Sequence, residues 1–119
     1  MGVNIIGSGS YVPDNILDNE MLSKLVDTND EWIVERTGIR RRHISKDETT
    51  EDMALKACQR AIEKSSIDVD EIEMIIVASV TSDTKVPSTA FTIAGRMGLK
   101  NIICMDINVA CSGYIYAIA

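Results

Sequence analysis

The chain has 119 residues, the length of one domain or part of one at about 150 residues per domain. Hydrophobic residues at 45% and charged residues at 25% are ordinary globular values and exclude disordered, collagen-like and coiled-coil sequence. Twelve Lys and Arg against eighteen Asp and Glu leave a net charge of −6, which disfavours binding to nucleic acid or an anionic lipid surface, so any anion site has to be local.

The longest apolar run, Met74 to Val80, falls far short of the roughly 20 residues a membrane-spanning helix needs. Residues 1–12 hold no basic n-region and no cleavable apolar segment, and Ile6 stands where a myristoylation signal requires Ser or Thr. Three cysteines, Cys58, Cys104 and Cys111, form no CxxC pair and sit in apolar segments, as free thiols do in a reducing compartment. A cytoplasmic location is expected, with neither a disulfide framework nor a metal site.

In chain order, Val3 to Val12 is a β-prone run in which Gly7 and Gly9 mark a bend or a close backbone approach, and Pro13 closes it. Asn19 to Val26 spaces Leu22, Leu25 and Val26 as a helix does. Thr28-Asn29-Asp30-Glu31 then matches a capping box opening a second short helix, with Gly38 at its stop. Ile39 to Ser45 reads as a basic strand. Ala54, Ala57, Cys58 and Ala61 recur at i, i+3, i+4 and i+7 and define an amphipathic helix capped by Thr49 or Thr50.

Met74 to Val80 is a nearly unbroken apolar run of strand length, the pattern of a central strand with helices over both faces. Ser88 caps a helix with Ala90, Ile93, Ala94 and Met97 on one face and Gly98 as its stop, and Ile102 to Ile107 is a second buried strand. Strands alternating with helices predict an α/β fold, one continuous unit over 1–119 without repeats or linkers. Tyr114 to Ala119 carries an apolar helical pattern to the last residue with no stop signal, so the sequence reads as part of a longer protein, truncated within a helix.

Two groups of residues could carry chemistry. Cys111 follows the second buried strand and opens the last helix, in Asn108-Val109-Ala110-Cys111-Ser112-Gly113. Amides at a helix N-terminus favour a thiolate and can bind an oxyanion, and a strand-turn-helix placement lifts a nucleophile clear of the sheet. A small core hydrophobe is the commoner use of such a cysteine, and Cys58 and Cys104 fit that use better. Thr28, Trp32 and Arg36, spaced by four, share one face of a short helix, where an aromatic plane beside a guanidinium suits an adenine; a packing Trp crossed by a surface Arg is the alternative. Arg40, Arg41, Arg42 and His43 alternate along a strand and cannot all face one side, and His43 carries no sign of orientation toward Cys111.

The segment DTNDEWIVERTGIRRRHI at Asp27 to Ile44 resembles the signature of β-ketoacyl-acyl carrier protein synthase III. GSGSYVP at Gly7 to Pro13, VPSTA at Val86 to Ala90 and DINVACSGYIYA at Asp106 to Ala117 resemble further landmarks of that family in the same order. The resemblance implies a thiolase-like fold, here the incomplete N-terminal half of a layered αβαβα sandwich that is usually paired as a homodimer. It implies acyl transfer: Cys111 takes an acyl group from acyl-CoA, and malonyl-acyl carrier protein decarboxylates and condenses with it to start a fatty acid chain. By the same likeness Trp32 stacks on the CoA adenine with Thr28 and Arg36 nearby, and Val86 shapes the acyl pocket across the dimer. Coenzyme A enters as substrate, with no cofactor bound covalently. The family completes its site with a His and an Asn from its second half, which these residues lack, so the isolated chain is expected to be inactive. A non-catalytic binding or dimerisation module, and a related polyketide- or quinolone-type condensing enzyme, are the alternatives.

Overall fold

A computed structural model describes residues 2–119. It divides into two compact units, Val12–Glu48 and a larger one made of the residues up to Tyr11 together with Thr49–Ala119.

In the smaller unit, strand β1 (Ile16–Asp18) leads directly into helix α1 (Asn19–Ser23), followed by helix α2 (Asp30–Thr37) and strand β2 (Arg41–His43). The two strands pair antiparallel with Leu17 opposite Arg42. α1 is shorter than the pattern of Leu22, Leu25 and Val26 suggests: Lys24 caps it, and the amides of Leu25 and Val26 both return to the Leu22 carbonyl as a turn. At α2 the expected box is not formed. Asn29, not Thr28, is the N-cap, its side chain accepting from the Trp32 amide at 2.8 Å. Asn and Thr compete as neighbouring cap candidates, and Asn ranks higher in general. Gly38 ends the helix at φ 71°, as expected.

A polar residue holds this unit together. Asn19 is 2% exposed. Its amide nitrogen donates to Asp30 Oδ1 at 2.7 Å and to the Ile39 carbonyl at 2.9 Å, while its oxygen accepts from Arg42 Nη2 at 2.5 Å. Arg42 Nη1 also donates to the Leu17 carbonyl. Every hydrogen-bonding atom of one buried amide is thereby used, tying α1, α2, the segment after α2 and β2.

The larger unit contains helix α3 (Thr50–Ser65), strand β3 (Met74–Ala78), helix α4 (Thr89–Arg96), strand β4 (Ile103–Ile107) and helix α5 (Gly113–Ile118). Thr49 caps α3 with Asp52 in a reciprocal box, and Ser88 caps α4 through the Phe91 amide. β3 and β4 pair parallel across α4, with Ile76 opposite Met105. Both runs become strands as expected, but β3 pairs only with β4 among the described residues and so is not flanked on both sides. α4 supplies the packed centre: Ala90 and Ile93 are fully buried, Ala94 nearly so, and the helix rests on both strands and on α3.

Residues 3–12 form no strand. The run has β-prone residues but no ladder partner among the described residues, and Val3 and Ile5 remain largely exposed. Its glycines do make the expected close approach: a Cβ on Gly9 would stand 2.1 Å from the Ala57 carbonyl oxygen and 2.5 Å from the Ala61 nitrogen, so only glycine lets this segment lie on α3. Tyr11 anchors it further, its ring under Lys56 and Arg60 at 4.4 and 5.2 Å.

Candidate active site

β4 ends at Ile107, and within a few residues the chain turns through a single-turn 3-10 helix, Ala110–Ser112, into α5. Cys111 is the middle residue of that turn and is exposed. Sequence placed it at the first position of the last helix; regular helix instead begins two residues later, after a tighter turn. The tightness has two visible causes. Ala110 adopts φ 47°, a left-handed conformation that costs a residue with a Cβ on the order of 1–2 kcal/mol. Gly113 is buried, and a Cβ there would meet the Ala78 Cβ at 2.9 Å, so the turn is packed against the end of β3.

The other two cysteines differ. Cys58 and Cys104 are half-buried, and burial pushes the Cys58 thiol above its ordinary range. Cys111 is therefore the most exposed of the three cysteines. Outside the carboxyl ends of β3 and β4, before the turn that carries Cys111, lies a cavity of about 290 Å³ lined by Ser79, Thr84, Lys85, Asp106 and Asn108 among others; Cys111 itself is not part of its wall. Crevices at that end of parallel strands are where open α/β sheets bind ligands. Sequence reading missed this cavity, although Ser79, Ser82 and Thr84 just after an apolar strand were its available signal.

Val86 projects from the loop between β3 and α4 and is 89% exposed. The loop is held by its own polar residues: Thr81 and Asp83 bond to Thr50 and to the Glu51 amide at the start of α3, and Thr84 donates to the Pro87 carbonyl.

In the smaller unit, Thr28 precedes α2 instead of lying on it, correcting the single-face arrangement. Thr28 and Trp32 nevertheless line one cavity of about 500 Å³ with Leu22, Val26, Asp27 and Ile33. Arg36 lies across the half-exposed indole, its guanidinium 4.5 Å from the ring centroid, and its Nη1 stands 3.5 Å from Glu35. The pair thus presents an aromatic plane beside a cation, a stack that contributes roughly 0.5–1 kcal/mol at an exposed position. The neighbouring basic run is engaged structurally: Arg42 binds Asn19, Arg40 lies 3.6 Å from Asp30, and His43 Nδ1 pairs with the Pro13 carbonyl at 2.6 Å.

No protein-family model matches the chain. A curated relative from Acholeplasma laidlawii, beta-ketoacyl-[acyl-carrier-protein] synthase III, is 52% identical over 118 residues, covering 98% of this chain and 38% of the relative. The crystal structure of 3-oxoacyl-[acyl-carrier-protein] synthase III from Aquifex aeolicus superposes with a TM-score of 0.94 at 44% identity, over 98% of this chain and 38% of that one. The priming beta-ketosynthase of the R1128 polyketide biosynthetic pathway does so with a TM-score of 0.91 at 35% identity, over 96% and 34%. The fold is therefore α/β and thiolase-like in part, and the chain spans little more than a third of the proteins it matches.

Proposed function

We propose, for a chain homologous over nearly its whole length to β-ketoacyl-[acyl-carrier-protein] synthase III, that the complete protein is a condensing enzyme with Cys111 as its acyl carrier. The Cys111 thiolate attacks the carbonyl of an acyl-CoA; a thioester to Cys111 forms and CoA leaves as its thiol. Malonyl-acyl carrier protein then loses carbon dioxide, and the resulting carbanion attacks that thioester, releasing the β-ketoacyl product and restoring the thiolate. The Cys111 amide is assigned to the oxyanion that develops at each attack.

The observation that carries this reading is the exposure of Cys111 on a strained turn that closely follows β4. Trp32 and Thr28, with Arg36, are assigned to the adenine end of CoA, and Val86 to the acyl pocket of a homodimer. The His and Asn of the family have no counterpart assigned among these 119 residues, so this stretch alone is expected to perform no condensation. The test is product formation by the full-length protein from acetyl-CoA and malonyl-acyl carrier protein. Cys111→Ala should abolish it; an active Cys111→Ala enzyme would refute the assignment.

The likeness to a polyketide-priming ketosynthase supports a second reading within the same chemistry, a different starter acyl group. Val86 is small enough to admit a branched acyl chain. Rates with acetyl-CoA and isobutyryl-CoA separate the two, and an acetyl-dominated preference would count against the branched starter.

A further inference from the structure

Asp106 has no part in the chemistry described above, yet its carboxylate ties the start of α4, where the loop carrying Val86 ends, to β4, the strand that leads into the turn carrying Cys111. It lies on β4, five residues before Cys111. Its Oδ2 accepts from the Thr89 amide and its Oδ1 from the Ala90 amide, each at 2.8 Å. Those are the first two amides of α4, which follows the Val86 loop without a break.

Ser88 already caps α4 from within, through the Phe91 amide. The Asp106 contact is of another kind, since it comes from a different element and holds the helix start at a fixed place along β4. Thr89 and Ala90 are both fully buried, so water cannot take over when the carboxylate is removed. The loop is thus held at both sides: Thr81 and Asp83 fix its first half to α3, and Asp106 fixes the start of α4, into which the loop runs, to β4. Asp106 also forms part of the wall of the cavity at the strand ends, together with Thr84 and Lys85 of the same loop.

We infer that Asp106 is a positioning residue for acyl-group selection: by clamping the start of α4 to β4 it sets where Val86 and the cavity wall stand relative to the turn that carries Cys111. This rests on the condensing-enzyme reading given above. A charge-assisted pair of short hydrogen bonds is stiff, and displacements near 1 Å in such a frame change rates by up to about a hundredfold. Selectivity between acyl groups of different size is the property such a displacement alters first.

The experiment uses the full-length protein and three variants. Asp106→Asn keeps the shape but turns a donor toward one of the two amides; Asp106→Ala removes both bonds; Ser88→Ala weakens the local cap of α4 while leaving the tie to β4. Two readouts are taken, the ratio of isobutyryl to acetyl transfer onto Cys111 in a competition of the two CoA esters, and hydrogen exchange of residues 79–90. For both Asp106 variants the ratio is expected to shift by about tenfold, with faster exchange over 84–90, whereas Ser88→Ala lowers thermal stability without moving the ratio. If all three variants lose stability alike and the ratio stays constant, Asp106 is a structural cap and the inference falls. Unchanged exchange over 84–90 in Asp106→Asn overturns it by itself, whatever the acyl assay gives. Absence of any acyl group on Cys111 in the unaltered protein would instead defeat the condensing-enzyme reading, and the exchange data would still decide whether Asp106 clamps the loop.

Discussion

The two units solve the same problem by opposite means. Val12–Glu48 has a single buried hydrophobic residue, Ile33, and organises itself around the buried amide of Asn19, whose bonds reach 11, 20 and 23 residues along the chain. The larger unit packs apolar α4, with Ala90, Ile93 and Ala94, onto a parallel pair of strands and uses polar groups at the ends of its elements. Apolar packing is non-directional and tolerates small shifts, whereas a saturated amide fixes geometry but leaves several groups unsatisfied when lost. The unit built on hydrogen bonds carries Trp32; the one built on packing carries Cys111.

Mutations at the two centres should therefore fail differently. Ile93→Ala removes a fully buried side chain from α4 and should lower stability by about 2–5 kcal/mol, seen as an earlier denaturation midpoint. Asn19→Ala should cost about 2–4 kcal/mol, because Asp30, Arg42 and the Ile39 carbonyl lose their partner together. Its exchange signature should be confined to residues 12–48. A loss of protection shared by 89–107 would break the contrast between the units.

A smaller effect is expected from Trp32→Ala in the full-length protein, if it carries out the proposed condensation. Loss of a stacking plane worth roughly 1–3 kcal/mol should raise KM for acyl-CoA about tenfold or more while leaving kcat nearly unchanged, by steady-state kinetics. A fall in kcat alone would remove Trp32 from nucleotide binding.

The smallest effect is electrostatic. Hydrogen bonds from the Thr49 amide and hydroxyl, with Arg96 at 2.8 Å, lower the Asp52 carboxyl from 3.8 to about 2. A carboxyl depressed on folding stabilises the native state above its unfolded pKa and loses that contribution as pH falls through its folded one. The stability difference between the unaltered protein and Asp52→Asn should accordingly shrink between pH 4 and pH 2, by thermal melts across that range. A difference constant with pH would contradict it.

What sequence made legible follows the same division. Local signals succeeded where partners are close in the chain: Thr49 with Asp52, Ser88 with Phe91, Gly38 at a helix stop. The two apolar runs met different fates, since Met74–Ala78 found a parallel partner in β4 and residues 3–12 found none, and strand formation needs a ladder as well as β-prone residues. Sequence reads Thr28 as the cap of α2 where Asn29 takes that position, because both chemistries suit it. Asn19 and Asp106 left no local trace, as their partners lie 11 or more residues away. The strain at Ala110 is likewise invisible in an Ala-Cys-Ser string.

The most direct test is to mix the full-length protein with acetyl-CoA in the absence of malonyl-acyl carrier protein, digest it, and weigh the peptides. An acetyl increment on the peptide bearing Cys111, discharged when malonyl-acyl carrier protein is added, is the predicted result. An active enzyme whose Cys111 peptide stays unmodified, or whose acetyl group resides on Cys58 or Cys104, would contradict the account.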